Sequence, residues 1–457
     1  MRNRPDPPGT GAHRLACDLV GGHLTAQRPA TTTRLVAGIA GLGVLGAVAG
    51  ILAVAAPDLA LPVALVGLLV AVAFVDLSLV PVLAVPATMI MNRVGPMSVS
   101  DFVLGGATVV ALVMIRGKGS VTMQPLLWCG AAYVGLTAPQ LILNSYTANV
   151  IEWVHEIVLV LGSMVVGFVV GREGRARLAL STYALIGIGI AVATMVSAVS
   201  NGFGPVYLGM LHKNSIGGIL LVAALIVFAN PPWLGWKQHW AYAAFLLCGV
   251  GMLAAQSRQA LIGTGIGVLI IGLRPRFHNG KRSRLIWFML IPVAVFVITE
   301  VREQLAADDQ FNSSAQRLTW YEDSIKVWLM SPLFGVGHRW WVTGHTGYSG
   351  FQPPNAELEV LTTVGIIGLI GFFAMFGGAI WLLVRTNPVY GTIGLAIVVA
   401  RLAQTQFDLY WVAGQSSILW IVAGICYGVQ ARDTAIGVTW TPHPVQTLFR
   451  RTDRVRS

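Results

Sequence analysis

The sequence predicts an all-α protein, a polytopic membrane helical bundle of about 12–14 transmembrane helices, with a long extracytoplasmic loop containing an amphipathic helix. Three observations predict it. Of 457 residues, 55% are hydrophobic and only 11% charged, with a mean hydropathy of +0.71, whereas a soluble chain is charged at about a quarter of its positions. The apolar residues gather in segments close to the ~20 residues needed to cross ~30 Å of hydrocarbon. Clusters of Arg and Lys recur between alternate segments, as the positive-inside rule requires. This composition excludes soluble kinases, dinucleotide-binding folds, zinc ribbons, disulfide scaffolds and disordered chains. Transporter, channel, membrane-embedded enzyme and structural subunit remain.

Residues 1–34 are rich in Pro, Arg and Gly. No short apolar core precedes a small-residue cleavage site there, so they read as a cytoplasmic basic tail and not a signal peptide. The N-terminal transmembrane helices occupy 35–299, with spans at 35–56, 59–75, 77–91, 101–115, 125–143, 150–170, 178–200, 215–230, 241–256, 259–273 and 284–299. The third and fourth are short enough to form one re-entrant pair. Residues 300–354 form the large extracytoplasmic loop, and a connection longer than ~15 residues usually carries function. Inside it, Leu318, Tyr321, Ile325, Trp328 and Leu329 fall at helical spacing between Ser314 and Met330, which predicts an amphipathic helix at the membrane surface. Ser331-Pro332 ends that helix, and Gly335 and Gly337 make the turn after it. The C-terminal transmembrane helices occupy 355–429, as 355–384, 391–408 and 413–429, and 430–457 is a second cytoplasmic basic tail.

The formal net charge of +11 resembles a nucleic-acid signature, but the basic clusters all fall on one side when fourteen spans are counted from a cytoplasmic start. Both termini are then cytoplasmic, the protein is multi-pass in the inner (cytoplasmic) membrane, and no nucleic acid partner is implied. The four cysteines, Cys17, Cys129, Cys248 and Cys426, lie at spacings that give neither a disulfide framework nor a metal cluster.

Ionisable residues at or inside spans are costly and therefore functional candidates. Most fall at the predicted outer ends: Asp101; Glu152, His155 and Glu156; Lys213; Arg258; Glu357 and Glu359; Asp408. Arg401 is deeper, with Gln404 and Asp408 at i+3 and i+7 on one helical face. A transporter places its key charges near the midplane beside broken helices, so the outer clustering favours chemistry or binding at the external surface. Plain structural readings stand beside these. Carboxylates in the first turns of a helix are favourable by themselves, Lys213-Asn214 fits an interfacial boundary, and Arg401 fits an interhelical contact. Gly46/Gly50 and Gly263/Gly267 read as helix-packing positions.

Three segments, in order, resemble the O-antigen ligase and O-antigen polymerase superfamily of polytopic membrane glycosyltransferases. They are Gln256-Ser257-Arg258-Gln259-Ala260-Leu261; Arg317-Leu318-Thr319-Trp320 followed by Ser331-Pro332-Leu333-Phe334-Gly335-Val336-Gly337; and Asn355-Ala356-Glu357-Leu358-Glu359 running to Gly365-Ile366-Ile367-Gly368. Asn214, heading its own span, fits a further position. The set covers roughly residues 210–370. It departs from the family at Pro354, where members carry a His proposed to help activate the acceptor. His338 and His345 lie earlier in the same loop, and Glu357 is close by.

The resemblance implies transfer of a glycan from a polyprenyl-pyrophosphate lipid donor to an acceptor hydroxyl, on a glycan or glycolipid, at the outer face of the membrane, in assembly of cell-surface polysaccharide of the envelope. Polymerisation within the same superfamily and polysaccharide or lipid transport are the alternative readings. Guanidinium forks bind phosphate oxygens bidentately and stay protonated, so Arg258 and Arg317 are expected to meet the pyrophosphate, with Lys213 and Arg401 as helpers. A neutralised pyrophosphate leaves readily, so neither a cofactor nor a metal is expected. The acceptor hydroxyl needs a general base, for which His345 and Glu357 are the candidates. Asn214, Asn355, His338 and Trp320 complete the expected substrate-binding set. Trp340-Trp341 and Tyr348 read either as sugar-stacking or as interfacial residues.

Overall fold

The structure, a computed structural model, describes residues 57–94, 97–115, 118–204, 206–274, 313–344, 352–353, 355–412 and 414–438. The tail 1–34, the spans predicted at 35–56 and 284–299, Pro354, His345, Tyr348 and the chain after 438 lie outside them. Two units are distinguished, up to Val75 and from Asp76 onward. The described part of the first is one apolar helix, α1 (Pro57–Val75).

Among its described residues, the second unit is helical apart from a hairpin of two two-residue strands. Helices α2 (Leu79–Ala87) and α3 (Val99–Met114) are joined through β1 (Arg93–Val94) and β2 (Met97–Ser98), which pair antiparallel. The hairpin hands over to α3 through a capping box: the Asp101 amide donates to Ser98 Oγ at 3.2 Å, and the Ser98 amide donates to Asp101 Oδ2 at 2.8 Å. There follow α4 (Gln124–Thr137), the short α5 (Gln140–Leu143), α6 (Thr147–Ile157) and α7 (Ser163–Arg172), the last two joined by a π turn at Val158–Gly162. Next are α8 (Ala176–Ser200), α9 (Lys213–Ala229), α10 (Gln238–Ala254) and α11 (Arg258–Leu273). Further along the chain stand α12 (Ser313–Met330), α13 (Ala356–Arg385), α14 (Pro388–Gln404) and α15 (Gln415–Ala435).

Among the described residues, four continuous helical stretches are long and apolar enough to cross a membrane: Ser120–Leu143, Thr147–Arg172, Ala176–Ser200 and Ala356–Arg385, of 24, 26, 25 and 30 residues. At 1.5 Å per residue each exceeds the hydrocarbon thickness. Shorter apolar helices, α3, α9, α11 and α14 among them, fill the bundle. The expected all-helical membrane bundle is therefore present, and the amphipathic helix of the loop begins one residue earlier than its spacing indicates.

Close approach of backbones holds α7 to α15. A Cβ placed on Gly167 would collide with the Ile421 carbonyl oxygen, and one on Gly428 would collide with the Phe168 oxygen. Gly171 and Gly424 repeat the pattern one turn along, so both helices present small residues four apart. Gly263 and Gly267, expected as packing positions, abut Leu221, Ala400 and Leu225.

The feature that positions the loop is a break in α13. Gly365 sits at φ 68°, ψ −170° inside an otherwise helical run, a region open essentially to glycine alone. A helix break strands amides and carbonyls that have no water to turn to inside a bilayer. The loop supplies their partners. Val336 and Gly337 amides donate to the Thr362 and Thr363 carbonyls at 3.0 and 2.8 Å, and Ile366 and Ile367 amides donate to the Pro332 and Leu333 carbonyls at 2.9 and 3.2 Å. The run Pro332–Gly337 thus lies along the broken turn. Trp340 and Trp341 follow it, buried with Val327 and Val336 in a small apolar core, and Trp341 Nε1 donates to Thr362 Oγ1 at 3.1 Å. Neither sugar stacking nor interfacial anchoring describes this pair, because their ring surfaces are spent holding α12 and the loop together.

Candidate functional site

Glu152, His155 and Glu156 share one face of α6 by their i, i+3, i+4 spacing. They lie beyond the first turn of a helix that begins at Thr147 and do not simply complement its N-terminus. His155 bridges two elements, with Nε2 3.3 Å from Asp101 Oδ2 and Nδ1 3.3 Å from Glu152 Oε1. Glu156 is 1% exposed; it accepts from Tyr133 Oη at 3.0 Å and pairs with His338 Nδ1 at 3.2 Å. Arg339 Nη1 stands 3.6 Å from Glu152 Oε2.

The loop is delivered to this face by backbone contacts. The His338 amide donates to Asn149 Oδ1 at 2.7 Å, Tyr146 Oη donates to the His338 carbonyl at 2.6 Å, and Asn144 Nδ2 donates to the Gly335 carbonyl at 3.2 Å. Arg339 itself adopts a left-handed φ of 62°, a strained conformation for a side chain of its size. The result is a small polar cavity lined by Arg93, Glu152, Glu156, His338, Arg339, Gln352, Glu359, Thr363 and Trp411. His338 Nε2 and Glu359 Oε2, on residues 4% and 3% exposed, have no hydrogen-bond partner among the described residues.

Burial alone would push the His338 imidazole down, but the Glu156 and Glu152 carboxylates outweigh it and hold the pKa above its ordinary value of 6.5. The folded value being raised, the stabilisation from this pair is fully present below about pH 6.5 and is lost as pH rises through the elevated folded value. Alkaline buffer is therefore expected to lower the melting temperature and to speed hydrogen exchange at the Val336–Arg339 amides. His338→Gln should flatten that dependence, and equal slopes in both proteins would count against the ion pair.

A second polar group lies at the N-terminus of α13. Asn355 caps the helix, its Oδ1 accepting from the Leu358 amide at 3.0 Å, while its Nδ2 donates to the Gln406 carbonyl at 3.3 Å. Glu357 Oε1 accepts from Gln406 Nε2 at 2.5 Å, and Glu357 Oε2 is buried with no hydrogen-bond partner among the described residues. Two residues on, Asp408 Oδ2 accepts from Gln259 Nε2 at 2.7 Å. The segment after α14 therefore ties the start of α11, whose first residue is the half-buried Arg258, to the start of α13. Glu357 and Glu359, two positions apart on α13, point to different sides of it, so the cavity and this second group flank one helix end.

The remaining expected residues divide as follows. Lys213 and Asn214 open α9, capped by His212 Nδ1, which accepts from the Asn214 amide at 3.3 Å. Arg401 is 2% exposed, bonded to Gln404 Oε1 and donating to the Gln415 carbonyl at 3.2 Å. Gln415 in turn donates to the Ser215 carbonyl at 3.1 Å, so Arg401 clamps α14, α15 and α9. Asp408 does not continue the Arg401 face, because α14 ends at Gln404. Trp320 and Arg317 lie on α12, Trp320 half-buried and Arg317 with its side chain outside the described residues. His338 joins the cavity and is separated from Glu357 by the α13 backbone. Arg93, Arg339, Gln352, Thr363 and Trp411 are cavity residues absent from the sequence-derived set. Arg93 had a signal, since it belongs to none of the cytoplasmic basic clusters; the others are placed by the loop's path.

No curated protein matches the chain. Within this multi-helix membrane chain, residues 243–373, which include the start of α11, the loop, the capping Asn355 and the break at Gly365, match the O-antigen ligase family model.

Proposed function

We propose that this protein is a membrane glycosyltransferase that takes a glycan from a polyprenyl-pyrophosphate donor and joins it to an acceptor hydroxyl at the outer face of the cytoplasmic membrane. The observation that carries the reading is that the ligase-matching stretch holds Arg258, Arg317, Asn355 and Glu357, and that Gln259–Asp408 and Gln406–Glu357 bonds join the helix ends bearing three of them.

In this reading the acceptor oxygen attacks the anomeric carbon as the bond from that carbon to the pyrophosphate oxygen breaks. The hydroxyl proton passes to Glu357 Oε2, and the polyprenyl pyrophosphate departs with its negative charge met by Arg258 and Arg317, with Lys213 nearby in sequence order at the head of α9. Burying the charge on the leaving group against fixed guanidinium groups stabilises the transition state more than water does. Glu357 takes the place that the family gives to the His before Asn355, Pro354 here. Arg401, held on three helices, positions α14 and the segment that follows it.

Purified protein in liposomes, supplied with a polyprenyl-pyrophosphate oligosaccharide and an acceptor glycan, is expected to release polyprenyl pyrophosphate. Arg258→Ala and Arg317→Ala should each lower turnover by about 10²–10³, the usual loss of one charge-stabilising donor. Turnover unaffected by Arg317→Ala would overturn the donor assignment. Chain growth without added acceptor would mark a polymerase, and movement of intact donor across the bilayer a transporter.

A further inference from the structure

The family match ends at residue 373, yet the side chain that holds Glu357 lies beyond it. After α14 ends at Gln404, the next two residues meet the start of α13 through their backbone. The Ala356 amide donates to the Thr405 carbonyl at 3.0 Å, and Asn355 Nδ2 donates to the Gln406 carbonyl at 3.3 Å. These bonds seat the segment against the first turn of α13 whatever side chain stands at 406.

The Gln406 side chain does something separate. Its amide nitrogen carries two hydrogens, and both are used: Nε2 donates to the Leu402 carbonyl at 3.3 Å, in the last turn of its own helix, and to Glu357 Oε1 at 2.5 Å. Both partners are acceptor oxygens, so the network assigns the nitrogen to this side of the amide. One hydrogen anchors Gln406 to α14, and the other reaches the carboxylate. The terminal torsion of a Glu side chain is broad and two-fold, so the placement of the α13 backbone alone leaves the two carboxylate oxygens free to exchange. A fixed donor on one oxygen removes that freedom. With Oε1 taken, Oε2 is the oxygen that remains, buried and without a hydrogen-bond partner among the described residues.

We infer that Gln406 is a positioning residue for the transfer: by holding Oε1 it aims Glu357 Oε2 at the acceptor hydroxyl, and it brings into the catalytic apparatus a segment outside the family match. The inference rests on the proposed role of Glu357 as base. Gln406 itself touches no reacting atom, so its loss is expected in the rate of the chemical step and not in affinity for the acceptor. A base misplaced by about 1 Å costs on the order of 10² in rate.

The test is a double-mutant cycle on the full-length protein in liposomes, supplied with a polyprenyl-pyrophosphate oligosaccharide and an acceptor glycan, with kcat and the acceptor KM as readouts. Gln406→Met keeps the length of the side chain and both backbone links but loses the donor; it is expected to lower kcat about 10–100-fold, with KM within about twofold of the parent and an unchanged melting temperature. Gln406→Asn, an amide one methylene too short to reach both acceptors, should do the same. Added to Glu357→Gln, Gln406→Met should lower kcat no further, because a residue that acts through Glu357 then has nothing left to hold. Losses that multiply, parent-level kcat in both Gln406 variants, or a rise in KM in place of the fall in kcat would each overturn the positioning and leave the role of Glu357 standing. Full turnover in Glu357→Gln would instead remove the base of the proposed function, and the positioning with it.

Discussion

Gly365→Ala is expected to destabilise the protein by several kcal/mol and to abolish the docked loop. A Cβ at this position would run into the Leu333 carbonyl group and lie 2.5 Å from the Phe334 nitrogen, contacts with backbone that no rotamer change relieves. The residue's φ of 68° with ψ of −170° adds about 1–3 kcal/mol of strain for any side chain. Moving the loop away to make room opens the four backbone bonds between Pro332–Gly337 and α13, each of about 0.5–1.5 kcal/mol net in ordinary surroundings. Effects of this size are exceptional for a single substitution. The same helix supplies the control. Gly377 has helical geometry, and a methyl group there would meet nothing within 4 Å, so Gly377→Ala should be neutral or stabilising by up to about 1 kcal/mol. Thermal melting in detergent distinguishes them, and two variants that melt alike would remove this account of the loop.

Glu357→Gln is expected to lower turnover by about 10²–10⁴, the usual contribution of a positioned general base, while leaving the melting temperature near that of the parent. The amide keeps an oxygen for the Gln406 Nε2 bond at 2.5 Å and nearly the same volume, so the fold has little to lose. What it loses is the carboxylate at Oε2, buried and without a hydrogen-bond partner among the described residues. The companion variant His345→Ala addresses the other base candidate in the sequence. Full turnover in Glu357→Gln together with loss in His345→Ala would transfer the role to the histidine; loss in Glu357→Gln alone supports the carboxylate.

Much of the fold is legible in the sequence because a bilayer imposes one length on every crossing. That constraint separates α8 from α9 and α10 from α11 without knowledge of their neighbours. The amphipathic α12 is legible for a related reason, since its apolar positions recur with the helical period. The candidate site is legible only where its parts are local. Asn355 capping α13 follows from a helix start, and Gln259 beside Arg258 travels with its motif. The cavity is not local: Asn149 and His338 meet across 189 positions, and no periodicity encodes that. Glu152 and Glu156 illustrate the limit, because carboxylates early in a helix have a sufficient electrostatic reason to be there until the loop that pairs with them is in place. Gly365 is a further case. Its motif spacing is visible, but whether a glycine in an apolar run breaks the helix depends on a partner backbone that only the folded loop provides.

The exchange of backbone bonds at that break has a dynamic consequence. Pro332–Gly337 completes the hydrogen-bond ladder of α13, so its amides cannot open without opening the helix, and the two segments belong to one cooperative unfolding unit. The protein then lacks freedom to swing this part of the loop as a lid. Any larger motion of the loop pivots outside it, ahead of Ser331 or beyond Arg339, with the middle of the loop serving as the fixed post.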